Sequence, residues 1–258
     1  GDKTKQDQIA HKIREKGTFS RLRSSANPIG RGMTRDITMR TRSLNFLAFA
    51  LVGAYAVKQI NNHKDLSIFV PENGFISLNA PLTHRRVGSL STRTTHPYFI
   101  EMIQELFNNL GFGVRLINPY QFMTKGQMVS NCKDSKMLSE IVDLTVSCSH
   151  WKRKNQQCGY CVPCMIRRAA LMKGTLKESI SYHHASYPTL RDFVKNKQDG
   201  RDDVIAVSVA LDKSKKINLK SWVLKSGKLK FEDLDKYEQV FSDGLLEVED
   251  FLKKEKVI

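Results

Sequence analysis

Four cysteines concentrated in one short segment constrain this chain more than any other feature of its sequence. The stretch CSHWKRKNQQCGYCVPC has the spacing C-x9-C-x2-C-x2-C and contains Cys148, Cys158, Cys161 and Cys164. A structural zinc ion takes four thiolate or imidazole ligands in a tetrahedron, and a C-x2-C turn brings two thiolates to one ion without strain. Gly159 and Pro163 favour the tight turns that this spacing needs. The spacing therefore predicts a closed structural zinc site held by the four cysteines.

Other interpretations of the cluster stay open at the level of sequence. An iron–sulfur cluster also accepts four thiolates, and a C-x2-C pair also serves redox chemistry. Disulfides are disfavoured because the N-terminus, GDKTKQDQIAHKIREKG, is polar and has no secretory signal. His150 lies near the cluster without being needed as a ligand, and Cys132 is predicted to be a small buried apolar residue. Basic residues beside the cysteines are expected to offset their negative charge: Lys152, Arg153, Lys154, Arg167 and Arg168.

The chain is strongly basic. It has 42 Lys and Arg residues against 26 Asp and Glu, a formal net charge of +16 over 258 residues. This balance favours anionic partners such as nucleic acid, nucleotide phosphates or an acidic protein, although a solvated lysine-rich surface gives the same count. Hydrophobic residues make up 40% of the chain, which excludes a disordered protein and allows one large domain or two small ones.

The apolar pattern indicates an α/β fold with a parallel sheet. Two short apolar runs, LSIFV at 66–70 and FGVRLIN at 112–118, are typical of buried parallel strands, and a helix beginning at Pro97 is predicted between them. Strands and helices in alternation favour a parallel α/β sheet. Other helices are predicted near 4–16, 42–61, 125–132, 135–142, 161–172 and 187–201, with one or two amphipathic helices at the end of the chain.

Two stretches are harder to assign. The apolar run at 44–57 has fourteen residues, fewer than the roughly 20 that a membrane span needs, so it is predicted to be a buried core helix. The segments DDVIAVSVAL at 202–211 and SWVLKS at 221–226 look strand-like because they are rich in β-branched and aromatic residues.

Several motifs resemble the 7-cyano-7-deazaguanine synthase family of PP-loop ATP pyrophosphatases. CGYCVPCMIR at 158–167 is similar to the family's CGxCxxCxxR segment, and NPYQFMTKGQMV at 118–129 to its Pro-x-x-x-x-Thr-Lys segment. RTRSLNFLAFALVGA at 40–54 resembles the family's Arg-Asn-x-x-Phe-Leu helix, and VPENG at 70–74 resembles a strand end that carries an acidic residue. The resemblance covers about residues 36–172.

The resemblance implies a PP-loop α/β domain and an ATP-dependent reaction, in which the carboxylate of a 7-carboxy-7-deazaguanine is adenylated and then attacked by ammonia to give an amide or a nitrile. It implies Mg²⁺ and ATP as cofactors beside the structural zinc. It also suggests substrate- or nucleotide-binding roles for Arg40, Arg42, Ser43, Glu72, Asn73, Arg93, Thr94 and Lys125. Ligands of open parallel sheets bind at the carboxyl ends of the strands, where several of these residues fall.

One departure from the family pattern is large. The family's phosphate-binding loop, Ser-Gly-Gly-x-Asp-Ser, has no counterpart, because the chain contains no Gly-Gly pair. We therefore expect a C-terminal part of a longer or split protein, with the missing PP-loop segment or chain as its partner. The expected parts are a synthase-like region at 1–147, a zinc-binding segment at 148–186 and a C-terminal helical extension at 187–258. The extension resembles the longer synthase-like proteins of anti-phage defence islands.

The remaining expectations concern setting and alternatives. A cytoplasmic location without membrane contact is expected, and a protein or a nucleic acid is a possible acceptor of the product. A basic zinc-ribbon protein that binds nucleic acid has the same charge and the same cysteines. A non-catalytic subunit of a defence complex is the third interpretation, and the absent loop favours it.

Overall fold

The computed structural model describes residues 2–17, 21, 42–61, 66–82, 94–151 and 155–258. Within these ranges the two strands are β1 (Leu66–Phe69) and β2 (Val114–Ile117). The helices are α1 (Asp2–Arg14), α2 (Arg42–Asn61), α3 (Gly74–Leu78), α4 (Pro97–Asn109), α5 (Lys125–Ser130), α6 (Ser135–Ile141), α7 (Val162–Lys173), α8 (Leu190–Lys195), α9 (Arg201–Ser214), α10 (Leu219–Leu224) and α11 (Leu234–Lys254).

The two strands pair in parallel, as the sequence predicts. Leu66 lies opposite Val114, and the ladder runs to Phe69 opposite Ile117. The chain passes from β1 to β2 through α3 and α4, since parallel strands need a long crossover. Both strands end at the same edge of the sheet, so the segments that follow them, beginning at Val70 and Asn118, are brought together there.

A side chain of α4 closes the outer edge of β2. The Gln104 amide donates to the carbonyl of Val114 at 2.9 Å, and its oxygen accepts from the Leu116 N–H at 2.6 Å. These backbone groups face away from β1, so the glutamine satisfies them in place of a third strand. Within the described residues, β1 has β2 as its only strand neighbour.

The prediction that the apolar run at 44–57 forms a buried helix is wrong. The helix α2 has the predicted bounds, but Val52 is 67% exposed and Ile60 is 80% exposed, whereas Leu47 is 6% exposed. Leu47 packs against the α4 residues Ile103 and Phe107, and α2 also contacts β1. A helix that is apolar on all sides cannot bury every face against one strand and one helix.

The helix α2 also has the length and the apolar composition of a membrane-spanning helix. Over the residues that the structure describes, Ser43–Ile60 is one stretch long and apolar enough to cross a membrane, and 6% of it is buried. Length and composition alone are weak grounds for a span when a single helix qualifies. The absence of membrane contact therefore stays a prediction.

The two strand-like segments of the C-terminal part are helices, which corrects the sequence interpretation. Residues 202–211 lie in α9, where Val204, Val207 and Leu211 are buried on one face. This spacing of three and four residues is helical and prevails over the β propensity of valine and isoleucine. Residues 221–224 lie in α10, which begins after Asn218, whose side chain accepts from the Ser221 N–H at 2.9 Å.

The main hydrophobic core joins the three predicted parts of the chain. Phe75 of α3, Met165 of α7 and Phe241 of α11 belong to one cluster of buried side chains. The long helix α11 contacts α3, α7 and α10, and its burial accounts for much of this core. The division at residues 147 and 186 stays a prediction, and the described residues on both sides of each boundary pack together.

Candidate substrate cavity and metal centre

The cysteine cluster is assembled around the start of α7. Cys161 is the residue before the helix, and Cys164 lies in its first turn, as the sequence predicts. Gly159 has φ of +84°, a backbone conformation that glycine adopts without strain, and it turns the chain between Cys158 and Cys161. Cys148 approaches from the preceding loop. All four cysteines are buried.

Two pairs of thiols lie at the sulfur–sulfur separation of a tetrahedral zinc site. Sγ of Cys158 lies 3.9 Å from Sγ of Cys164, and Sγ of Cys161 lies 4.0 Å from Sγ of Cys148. Four sulfurs around zinc at Zn–S distances of about 2.3 Å are separated by about 3.8 Å. Backbone N–H groups of Cys158 and His150 each donate to Sγ of Cys148 at 3.3 Å.

His150 is a second candidate for one ligand position. The ligand atoms of Cys148, His150, Cys158 and Cys161 lie within 4.8 Å of one another. The Nδ1 atom of His150 is buried and has no hydrogen-bond partner, which is costly unless a ligand or an ion completes it. The residues therefore fit zinc either through four cysteines or through three cysteines and His150. Sequence reasoning noted this histidine but gave it no role.

Hydrogen bonds within the cluster shift the pKa values of two of its thiols in opposite directions. Hydrogen bonds with the Cys158 and Cys164 thiols lower the pKa of Cys161. The hydrogen bond with Cys161 raises the pKa of Cys158. A metal that binds the cluster displaces thiol protons, which makes its affinity depend on pH.

The two arginines expected to offset the thiolate charge have carboxylate partners of their own. Arg167 is paired with Glu178 at 2.9 Å and also donates to the carbonyl of Val142 at 2.7 Å. Arg168 is paired with Glu255 at 2.6 Å. Their positive charge is therefore largely neutralised locally. The other three expected residues, Lys152, Arg153 and Lys154, lie outside the described residues.

A cavity of about 340 Å³ lies beside the start of α7, within the usual size range of small-molecule sites. Its walls are mostly apolar, and Glu72 and Lys125 are the two ionisable side chains in its lining. Glu72 follows β1, and Lys125 is the first residue of α5, after β2. The lining comprises Glu72, Phe75, Ile76, Asn79, Ala80, Leu82, Lys125, Val146, Ser147, Val162, Pro163, Ile166 and Phe241.

Glu72 and Lys125 act on each other electrostatically in this cavity. Burial raises the pKa of Glu72 above its usual range, and the nearby Lys125 ammonium counteracts the shift. Burial likewise lowers the pKa of Lys125, and the Glu72 carboxylate counteracts it. Two oppositely charged groups in an apolar pocket are typical of a binding or catalytic site, because desolvation strengthens their hold on a polar ligand. The structure thus brings two predicted site residues together.

Asn73 has a different role from the predicted ligand contact. It is buried at the start of α3, where its Oδ1 accepts from the Ile76 N–H at 3.0 Å. Its Nδ2 donates to Oε1 of Glu72 at 2.7 Å. Asn73 therefore caps a helix and orients Glu72, and it is not part of the cavity lining.

Asn118, which sequence reasoning passed over, connects the ends of the two strands. Its Nδ2 donates to the carbonyl of Glu72 at 2.9 Å, and its Oδ1 accepts from the Glu72 N–H at 3.3 Å. It fixes the backbone of Glu72 relative to the end of β2. In the sequence it is the last residue of the predicted strand at 112–118 and the first residue of the motif at 118–129.

The other predicted site residues do not line this cavity. Ser43 is buried in the first turn of α2, and Thr94 is exposed in the turn before α4. Arg40 and Arg93 lie outside the described residues, as does the side chain of Arg42, the first residue of α2. His96, the residue before α4, is buried, and its Nδ1 accepts from the Tyr98 N–H at 3.2 Å, which is a structural role.

The fold and the site together define a class: an α/β protein with a parallel sheet, a cavity with paired charges at its carboxyl edge and an adjacent cysteine cluster whose residues suit a metal ion. Residues 94–175 match the model of the family described as queuosine biosynthesis protein QueC. The matched span contains α4, β2, Lys125 and the four clustered cysteines, and it supports the family that the motifs predict. No curated protein and no solved structure matches the chain.

Proposed function

We propose that this chain binds the deazaguanine substrate of an ATP-dependent synthase resembling QueC. The observation that carries the proposal is the cavity in which Glu72 and Lys125 face an apolar pocket beside the cysteine cluster. The family match supports a PP-loop, ATP-dependent synthase-like function. A soluble cytoplasmic protein accords with this activity.

The cavity offers complementary groups to a 7-carboxy-7-deazaguanine. Its apolar walls suit a flat heterocycle, the Lys125 ammonium is a counter-ion for the carboxylate, and the Glu72 carboxylate can accept hydrogen bonds from ring N–H and amino groups. In the proposed reaction a carboxylate oxygen of the substrate attacks the α-phosphorus of ATP and pyrophosphate leaves. Ammonia then attacks the acyl carbon, AMP leaves and an amide forms, which is the product or the precursor of a nitrile.

The metal has a structural role in this proposal. Zinc held by the cluster would fix the loop before α7 and the start of that helix, which provides Val162, Pro163 and Ile166 to the cavity. A site filled by four protein ligands leaves no position for a catalytic water. The chemistry is then left to the cavity residues, ATP and Mg²⁺.

ATP binding requires a partner for this chain. We propose that a segment or chain carrying the Gly-Gly-x-Asp-Ser loop packs against β1 and the exposed apolar face of α2. The strand β1 has one strand neighbour within the described residues, whereas the outer edge of β2 is closed by Gln104. The exposed side chains of α2, such as Val52, are apolar surface that such a partner would cover.

Calorimetric titration of the chain with 7-carboxy-7-deazaguanine tests the proposal. Lys125→Ala should weaken binding about 10- to 100-fold, because it removes a charged hydrogen bond in a desolvated site. Lys136→Ala, at an exposed position of the neighbouring helix α6, is the matched control and should bind like the wild type. No binding by the wild type, or equal binding by the Lys125 variant, contradicts the proposal.

Retention on nucleic acid distinguishes the main alternative, which the net charge of +16 favours. Strong binding to DNA or RNA that falls steeply with salt, together with no deazaguanine binding, would indicate a nucleic-acid-binding protein. If neither ligand binds but a protein partner co-purifies, the interpretation as a non-catalytic subunit gains support.

A further inference from the structure

The C-terminal helix α11 forms part of the cavity wall, although it lies outside the span matched by the family model. Phe241 lines the cavity and packs against Phe75, with ring centroids 5.6 Å apart. One turn later, Gly244 faces the same ring, and a Cβ atom there would lie 2.4 Å from Phe75. Glycine therefore permits a close approach that brings Phe241 to the cavity.

A carboxylate of the same helix binds the residues on both sides of Lys125. Glu247 Oε1 accepts a hydrogen bond from Oγ1 of Thr124 at 2.5 Å, and Oε2 accepts from the Gly126 N–H at 3.1 Å. Both interactions are buried. A Cβ atom on Gly126 would lie 2.3 Å from Oε1 of Glu247, so position 126 accommodates the carboxylate only as glycine.

The first turn of α5 is held by further contacts. Thr124 Oγ1 accepts from the Gln127 N–H at 3.0 Å, and Gln127 Oε1 accepts from the Thr124 N–H at 2.8 Å. This capping box fixes the backbone locally. Gln127 also donates from Nε2 to Asp243 of α11 at 3.2 Å. Two α11 residues, Asp243 and Glu247, therefore bind the turn that carries Lys125.

We propose that α11 completes the substrate site: Glu247 is a positioning residue for Lys125, and Phe241 is the wall against which the substrate ring lies. The ligand's identity in this inference rests on the proposed function, whereas the positioning of Lys125 by Glu247 does not. A lysine whose two neighbouring residues are both fixed loses less conformational entropy when it binds an anion. Removal of the Glu247 carboxylate should therefore weaken binding of the ligand's carboxylate by Lys125 and leave binding of the ligand's ring unchanged.

Hydrogen exchange tests the positioning without any ligand. In Glu247→Ala, the amides of residues 126–128 should exchange at least about 10-fold faster than in the wild type, since the acceptor that fixes this turn is gone. Glu249→Gln is the matched control, because Glu249 is a buried acid of the same helix that pairs with Lys215 and Lys253 at 3.0 Å each. It should leave these amides unchanged. Equal acceleration in both variants, or in neither, overturns the inference.

A second variant, Glu247→Gln, keeps the experiment decisive if Glu247→Ala does not fold. Its amide oxygen can still accept from Thr124, so it should fold and show an intermediate exchange rate at residues 126–128. If Glu247→Gln exchanges like the wild type at these amides while Glu247→Ala is unfolded, Glu247 has a purely structural role and the inference fails.

Ligand discrimination tests the role in recognition. The probes are 7-carboxy-7-deazaguanine and 7-deazaguanine, which lacks the carboxylate, measured by calorimetry. Glu247→Ala should reduce the preference for the carboxylated ring about 10-fold and leave affinity for the neutral ring unchanged. In the Lys125→Ala background, Glu247→Ala should not change the preference for the carboxylated ring further, because both substitutions act through the Lys125 ammonium. Equal loss for both probes overturns the inference.

Phe241→Leu should instead weaken binding of both probes by the same factor, since it alters the apolar cavity wall and leaves the Lys125 charge in place. Unchanged affinity for both probes would exclude Phe241 from the site. If the wild type binds neither probe, the proposed function fails, and the exchange measurements still decide whether Glu247 positions Lys125.

Discussion

Arg168 of α7 donates from Nη2 to Oε1 of Glu255 at 2.6 Å and thereby joins the helix that follows the cysteine cluster to the end of α11. The other carboxylate oxygen of Glu255 accepts from the Leu190 N–H at 2.9 Å, at the start of α8. One carboxylate thus connects three helices. Because the pair is mostly buried, loss of either partner leaves an uncompensated charge in a poorly solvated place.

Glu255→Ala should therefore lower the free energy of unfolding by about 2–4 kcal/mol. Urea denaturation followed by circular dichroism measures the change. Lys220→Ala removes a more exposed ion pair with Asp235 and should lower the free energy of unfolding by clearly less than Glu255→Ala does. Equal losses in the two variants would mean that the Arg168–Glu255 pair is no better than a surface pair.

His184 makes stability depend on pH. Burial first, and then the adjacent Arg168 and His183, lower the pKa of His184 to about 4. The unfolded chain takes up a proton near pH 6.5, whereas the folded chain resists protonation until about pH 4. Stability is therefore complete above about pH 6.5 and falls as the pH drops from there toward 4, by no more than about 3 kcal/mol.

Urea midpoints of the wild type and of His184→Gln between pH 7.5 and 4.5 test this dependence. The variant should lose less stability across this range than the wild type. His11→Gln, at an exposed position of α1, should follow the wild-type curve. A His184→Gln curve parallel to the wild-type curve would show that other groups cause the acid sensitivity.

The metal ligands can be separated by single substitutions. Cys161→Ser should lose bound zinc and much of the thermal stability, because a structural zinc site supplies folding free energy. Cys132→Ser, outside the cluster, should keep the metal. Zinc content measured by mass spectrometry for Cys164→Ser and His150→Ala then identifies the fourth ligand. Loss of zinc in Cys164→Ser alone indicates four cysteine ligands. Loss of zinc in His150→Ala alone indicates three cysteines and His150.

The parts of this structure that the sequence predicts are those encoded over short distances. The cysteine spacing, the turn at Gly159 and the helix after Cys161 need only neighbouring residues, and the parallel strands follow from two short apolar runs. Glu72 was predicted from its place at a strand end, and Lys125 from its place in the Thr-Lys segment that resembles the family's. The family match at residues 94–175 covers Lys125 and the cysteines but not Glu72.

The parts that the sequence did not predict depend on contacts between distant positions. Glu247 reaches Thr124 across 123 residues, and no local pattern marks an acid on a long amphipathic helix as a partner of a buried hydroxyl. The β-branched run in α9 suggested a strand because propensity is local, whereas its buried face is set by packing against the rest of the core. The exposure of α2 could not be foreseen either, because hydrophobicity does not reveal what covers a helix.

The exposed face of α2 provides the last prediction. Val52→Glu should leave the free energy of unfolding within about 1 kcal/mol of the wild-type value, because this side chain is mostly in solvent. Leu47→Glu should destabilise it strongly, since Leu47 packs against Ile103 and Phe107. If a partner carrying the phosphate-binding loop covers this face, Val52→Glu should also abolish its co-purification. Retained co-purification places the partner elsewhere, and loss of vesicle binding in Val52→Glu would instead indicate a membrane contact.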